Sequence, residues 1–213
     1  MRLGGTILNM NWLAHLFLSD DSIEYQLGNL LADLLKGKSW PDANPLFSKG
    51  LAMHKRIDSY TDQHPSFRQS KARLGSHGLL KGVVVDITYD HLLAKHWDDY
   101  AKIPIDHFID RFHAQTEQVS AHYPEAARKF LSRLIRSGHL RQYSRFQGLE
   151  NSLKRVDQRL SARLLRREST CEYLPLVKQQ LSLIEQDFSA FMPDLIAHFK
   201  SSSRTSRGNH WLR

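Results

Sequence analysis

From Trp12 onward apolar residues recur every three or four positions, and long alternating Val/Ile/Thr runs are absent, so the pattern predicts helices throughout. Asp21-Ser-Ile-Glu24 has the form of a capping box, and Leu27, Leu30, Leu31, Leu34 and Leu35 follow as one apolar face that ends at Gly37. Pro41 and Pro45 punctuate a loop, after which a helix over 46–62 should run until His64-Pro65 stops it. A turn over 75–78 leads into a helix over 79–100, and further helices are predicted over 105–122, 124–137, 149–167 and 172–200, the last kinked or broken at Pro193. Leu149, Leu153, Val156, Leu160 and Leu164 form an apolar stripe whose opposite face is basic. The expected fold is all-α, one compact helical domain over 10–200. Residues 1–9 lack the core and cleavage site of a signal peptide and read as an extension ahead of a more natural start at Met10; 201–213 read as a flexible polar tail.

Composition narrows the class. At 213 residues with 41% hydrophobic and 24% charged positions, the chain has the make-up of a folded soluble protein rather than a disordered or fibrous one. No apolar run approaches the ~20 residues of a membrane span. Cys171 is the lone cysteine, which excludes an intrachain disulfide or a cysteine-based zinc site and points to a reducing compartment, the cytoplasm.

The net charge of +8 is unevenly placed. Residues 128–167 carry twelve Lys or Arg against Glu150 and Asp157, so the remainder of the chain is slightly acidic. Such a field attracts an acidic partner, although a charge run is as often just a solvated helix face.

The chemistry lies in His and Asp placed on apolar helices. His54, Asp58 and Asp62 are spaced by four and stay near one helix face, Asp86 and Asp90 repeat that spacing beside His91, and Asp33 lies on the preceding helix. Several carboxylates facing one core repel unless a cation neutralises them. Imidazole with carboxylate suits Mn²⁺, Fe²⁺, Zn²⁺ or Mg²⁺, leaving open positions for water and a phosphate oxygen. Plainer readings stand beside this one: His15 as a core histidine bonded to a carbonyl, Arg56 as a structural partner of an acid rather than a phosphate clamp, His64 as an exposed helix end, and Tyr89 and Trp97 as core. None of the familiar metalloprotease, Walker, serine-hydrolase or dinucleotide-binding motifs is present.

At these residues the sequence resembles the bacterial acyl carrier protein phosphodiesterases. The blocks are Met10-Asn-Trp-Leu-Ala-His-Leu-Phe-Leu-Ser19, Gly28-Asn-Leu-Leu-Ala-Asp-Leu-Leu-Lys-Gly37, Gly50-Leu-Ala-Met-His-Lys-Arg-Ile-Asp-Ser-Tyr-Thr-Asp62 and Asp86-Ile-Thr-Tyr-Asp-His-Leu-Leu-Ala-Lys-His-Trp97. The resemblance implies a helical, HD-domain-like hydrolase that uses a divalent cation, Mn²⁺ foremost, to remove 4′-phosphopantetheine from holo-acyl carrier protein. It assigns metal binding to His54, Asp58, Asp90 and His91, then to Asp33 and Asp62, with His15 and Asp86 as further candidates. Asp58, Asp62 and Arg56 are the expected catalytic groups, Arg56 steadying phosphate charge. The plain HD signature is His followed by Asp, whereas the adjacent pair here is Asp90-His91. Carrier proteins are small and acidic, which gives the basic 128–167 region a natural partner. Two alternatives are a phosphohydrolase acting on a nucleotide or other small phosphodiester, and a non-catalytic nucleic-acid-binding module; the second gives no reason for acids clustered on apolar helices.

Overall fold

A computed structural model describes residues 11–202. The expected extension over 1–9, the start at Met10 and the tail beyond Ser202 fall outside the described residues. Within them the chain is all-α, with no strand: α1 (Trp12–Phe17), α2 (Ile23–Leu31), α3 (Pro45–Gln63), α4 (Pro65–Arg73), α5 (Lys81–Lys95), α6 (Trp97–Tyr100), α7 (Ile105–Val119), α8 (Glu125–Arg136), α9 (His139–Gln142), α10 (Phe146–Asp157), α11 (Ala162–Leu165) and α12 (Leu174–Ser202). Short 3₁₀ turns over Ser120–His122 and Thr170–Tyr173 join them.

The differences from the apolar pattern have local causes. His64-Pro65 ends α3 but also begins α4: proline fits the first helical position, and the His64 Nδ1 accepts from the Ser66 amide at 3.2 Å. The stretch expected as one helix over 149–167 divides, because the Ser161 hydroxyl accepts from the Leu164 amide and starts α11 afresh. The helix over 79–100 likewise divides at His96. Pro193 does not break α12, which continues on both sides of it.

Leu13, Leu16, Phe17, Leu27 and Leu31 are buried together with Val84, Ile87, Leu92, Ile109, Leu149 and Ile184, so one apolar core spans α1 to α12. α12 closes over α4 through polar ties. The Arg73 guanidinium grips both Asp187 oxygens at 2.7 and 3.0 Å, and Ser70 Oγ donates to the same carboxylate at 2.8 Å.

Two contacts position the N-terminal helices. Gly28 of α2 and Gly50 of α3 lie backbone to backbone: a Cβ on Gly28 would fall 2.1 Å from the Phe47 carbonyl oxygen, and one on Gly50 2.1 Å from that of Tyr25. Any side chain there would push α2 and α3 apart. α1 is held by its amino end, where successive amides have no partners within the helix. Leu13 and Ala14 donate to the two Asp90 oxygens at 2.9 and 2.8 Å, and the Trp12 amide donates to the Tyr143 hydroxyl, itself bonded to Asp90.

Candidate metal centre

The α1, α2 and α3 packing brings two imidazoles face to face. His15 and His54 stack with ring centroids 4.2 Å apart and are 1% and 6% exposed, so the pair forms a floor that water does not reach. Each ring is fixed through Nδ1: His15 to the Asn29 side-chain oxygen at 2.7 Å, His54 to the Asn29 backbone oxygen at 2.9 Å. Asn29 is in turn held by its amide, which donates to the His15 carbonyl at 2.8 Å and to Ser19 Oγ at 2.9 Å, while Ser19 donates to the His15 carbonyl. With oxygen acceptors at both Nδ1 atoms, the protons sit there and both Nε2 lone pairs point into the site.

Those Nε2 atoms are buried and make no hydrogen bond. His15 Nε2 lies 3.3 Å from Asp58 Oδ1; His54 Nε2 lies 3.3 Å from Asp58 Oδ2 and 3.3 Å from Asp33 Oδ1. One donor atom each from His15, His54 and Asp58 falls within 4.8 Å of the others, a spacing that fits a single ion. Fixing of the non-ligating imidazole nitrogen by a carbonyl is the arrangement metal-binding histidines require. Asp33 and Asp58 are partly exposed, with side chains 26% and 36% accessible, so the site opens on their side.

The charges are coupled. Burial disfavours the His54 imidazolium, but Asp33 and Asp58 outweigh it and hold the His54 pKa above its usual value. Burial likewise disfavours the Asp58 carboxylate, yet His15 and His54 bring its pKa below the usual value. A site that favours cation beside carboxylate is prepared for a metal in the proton's place.

Asp33 reaches the site from the turn that closes α2. Gly37 donates to the Ala32 carbonyl at 2.7 Å and adopts φ +66°, a left-handed terminus that glycine accommodates. Lys55 lies along this glycine, its Cε and Nζ 3.1 and 3.2 Å from where a Cβ would sit.

The other sequence candidates stand apart. Asp90 stands outside the group formed by His15, His54 and Asp58: it is fully buried and its two oxygens accept from the amides of Leu13 and Ala14. Burial pushes its pKa up to about 8. His91 is buried with Nδ1 bonded to the Tyr143 carbonyl at 2.6 Å and its ring edge-on to Phe146. Asp86 is buried on α5 and is not one of the group formed by His15, His54 and Asp58. Asp62 is exposed, its carboxylate 3.9 Å from Lys71. Arg56 sits two residues from both His54 and Asp58, hence about 200° round α3, and its guanidinium lies 5.3 Å over the Phe199 ring. Asp62 thus stands outside the group formed by His15, His54 and Asp58, and Arg56 lies against Phe199.

Asn29 and Ser19 were not among the sequence candidates. The available signal was an asparagine directly after Gly28 on an otherwise apolar helix, a buried amide that must be satisfied.

A family model described as acyl carrier protein phosphodiesterase matches residues 10–195. The chain is similar to proteins of that name from Serratia proteamaculans, 39% identical over 89 residues, covering 41% of this chain and 46% of that protein. A Yersinia pestis relative is 33% identical over 125 residues (58% and 63%), and one from Pectobacterium atrosepticum 33% over 118 residues (54% and 61%). The chain thus spans between 46% and 63% of the length of these relatives. No solved structure matches.

Proposed function

The chain belongs to the acyl carrier protein phosphodiesterase family, and from that membership we propose that it hydrolyses the phosphodiester joining 4′-phosphopantetheine to a serine of holo-acyl carrier protein. The products are the apo protein and free phosphopantetheine. The observation that carries this reading is the pair of buried imidazoles, tautomers fixed through Asn29, whose bare Nε2 atoms converge with Asp58.

In this reading His15, His54 and Asp58 hold a divalent cation and Asp33 completes the set; mixed nitrogen and oxygen donors suit Mn²⁺, with Mg²⁺, Fe²⁺ or Zn²⁺ as substitutes. When bound, the cation supplies Lewis-acid stabilisation of phosphoryl charge and a water of lowered pKa. The chain's own residues do the rest. Asn29 and Ser19 hold both imidazoles in the ligating tautomer. The stacked rings keep bulk water from the floor, so a phosphate enters over Asp33 and Asp58. An oxygen of Asp33 or Asp58 takes the proton released by the attacking water.

The kinship to HD-domain phosphohydrolases belongs to the same proposal, as does a working domain over 10–200. Among the described residues no helix is long and apolar enough to cross a membrane. The lone Cys171 fits a reducing cytoplasm. Intact-mass spectrometry of holo-acyl carrier protein incubated with the purified protein tests the reading. Conversion to the apo mass with Mn²⁺ and none with EDTA is expected; an unchanged mass with every cation tried would reject it.

A further inference from the structure

The basic stretch over 128–167 is not uniform once folded. Lys129 pairs with Glu125, and Arg141 reaches both Asp106 and Asp110. Their charges are offset inside the molecule. Arg133 on α8, Arg155 on α10 and Arg159 just past its end have no acid partner among the described residues. The acids of α10 are engaged elsewhere: Asp157 accepts from Ser169, Thr170 and Cys171, and Glu150 pairs with Lys178.

Arg155 is placed by a neutral group. Its guanidinium donates to Nδ1 of His139, a residue only 2% exposed. Burial first, and Arg155 and Arg159 next, bring the His139 pKa down to about 3, so the imidazole accepts a hydrogen bond without offsetting charge. Arg159 loses basicity through burial and through the repulsion of Arg155 and Arg133, both of which therefore act on it. Like charges gathered without a counter-charge raise the energy of the free protein, and an incoming anion recovers that energy. Arg133 also lines a concavity of about 440 Å³ along α8, together with Arg128, Arg136, Ser132 and the Lys129 and Glu125 pair.

This surface is built against the helix that carries His15. The rings of Phe130 on α8 and His139 lie 5.2 and 5.1 Å from Trp12, three residues before His15. The cations are spread over two helices and not enclosed, a form that suits several carboxylates on one protein surface better than a single phosphate.

We propose that Arg133, Arg155 and Arg159, extended by Arg128 and Arg136, dock acidic side chains of the carrier protein while its seryl phosphodiester lies over Asp33 and Asp58. This inference rests on the phosphodiesterase reading for the identity of the partner. Electrostatic docking of this kind acts on encounter and on affinity, and weakens with salt.

The test is binding of fluorescently labelled apo-acyl carrier protein to the full chain and to an Arg133→Gln/Arg155→Gln/Arg159→Gln variant across a salt series. At low salt the variant should bind at least tenfold more weakly, with a flatter salt dependence, and should retain Mn²⁺-dependent turnover of bis(p-nitrophenyl) phosphate. Arg133→Gln/Arg159→Gln, which leaves the Arg155 to His139 contact intact, serves if the triple variant does not fold. Equal binding by wild type and variant, no binding by wild type, or tighter arginine-dependent binding of a duplex RNA than of carrier protein would overturn the docking. Conversion of holo-carrier protein by the wild type is scored separately. Arginine-dependent binding without turnover sinks the phosphodiesterase reading alone, and turnover with arginine-indifferent binding sinks the docking alone.

Discussion

α3 and α5 carry the same chemistry on paper and opposite chemistry in space. His54 and Asp58 on α3, and Asp86, Asp90 and His91 on α5, use the same residue types at the same four-residue spacing. On α3 the His54 Nε2 has no hydrogen bond and faces two carboxylates that reach solvent. On α5 the Asp90 oxygens are consumed by the first amides of α1, and His91 is tied to the Tyr143 carbonyl. The difference teaches that spacing selects a face, whereas a residue's remaining bonding capacity decides whether it serves a ligand or the fold. The two regions are connected: Asp90 anchors the helix that presents His15 to His54.

The sharpest way to break this contrast is to remove one carboxylate from each side. Asp58→Ala should lower turnover by about a thousandfold or more, about 4 kcal/mol in the barrier, while the circular dichroism spectrum stays that of the folded chain. Retained activity in that folded variant would remove Asp58 from the site. Asp90→Ala should instead lower the unfolding free energy by about 3 kcal/mol in urea titration, since it strands buried helix amides, whereas Asp58→Ala should change it by less than about 1 kcal/mol. Equal destabilisation of the two would erase the distinction.

A smaller effect separates the residues behind the imidazoles. Asn29→Ala frees the His15 Nδ1 but keeps the backbone carbonyl that holds His54, so Mn²⁺ affinity by calorimetry should fall about 10- to 100-fold. Unchanged affinity would show that the tautomer of His15 needs no such support.

The smallest expected effect is in titration. In metal-free protein the His54 imidazole should titrate above the usual histidine value, held up by Asp33 and Asp58 against burial, and that of His91 below it because of burial. His54 then contributes stability that is present below pH ~6.5 and lost as pH rises through its folded pKa. His91 contributes stability that is present above pH ~6.5 and lost as pH falls through its folded pKa. Nitrogen-detected NMR of the two rings checks the signs, and parallel titration would mean the two environments are alike.

Much of the fold was legible because helical periodicity is a local property. The apolar stripe from Leu149 to Val156 is buried as its spacing predicts, and α3 and α8 run within a residue or two of their expected limits. Breaks that depend on one side-chain bond, such as the Ser161 cap, were not legible from apolar spacing. At the centre, His54, Asp58 and Asp33 could be picked out as residue types that do not belong unpaired on apolar faces. His15 looked equally suited to a core bonded to a carbonyl, and the structure gives it both features, a fixed Nδ1 and a bare Nε2.

The sequence by itself determined that this chain is helical, that its candidate His and Asp group lies in the N-terminal half, and which residue types would meet there, because periodicity and side-chain chemistry are carried by each segment alone. Only the tertiary structure decided the partition. Asn29 serves both imidazoles because the Gly28 and Gly50 crossing lets α2 and α3 touch, Asp90 is spent on α1, Arg56 faces Phe199, and Arg155 rests on a neutral histidine. Each outcome depends on which distant group arrives to take a hydrogen bond or a charge, and that is a property of the packed chain.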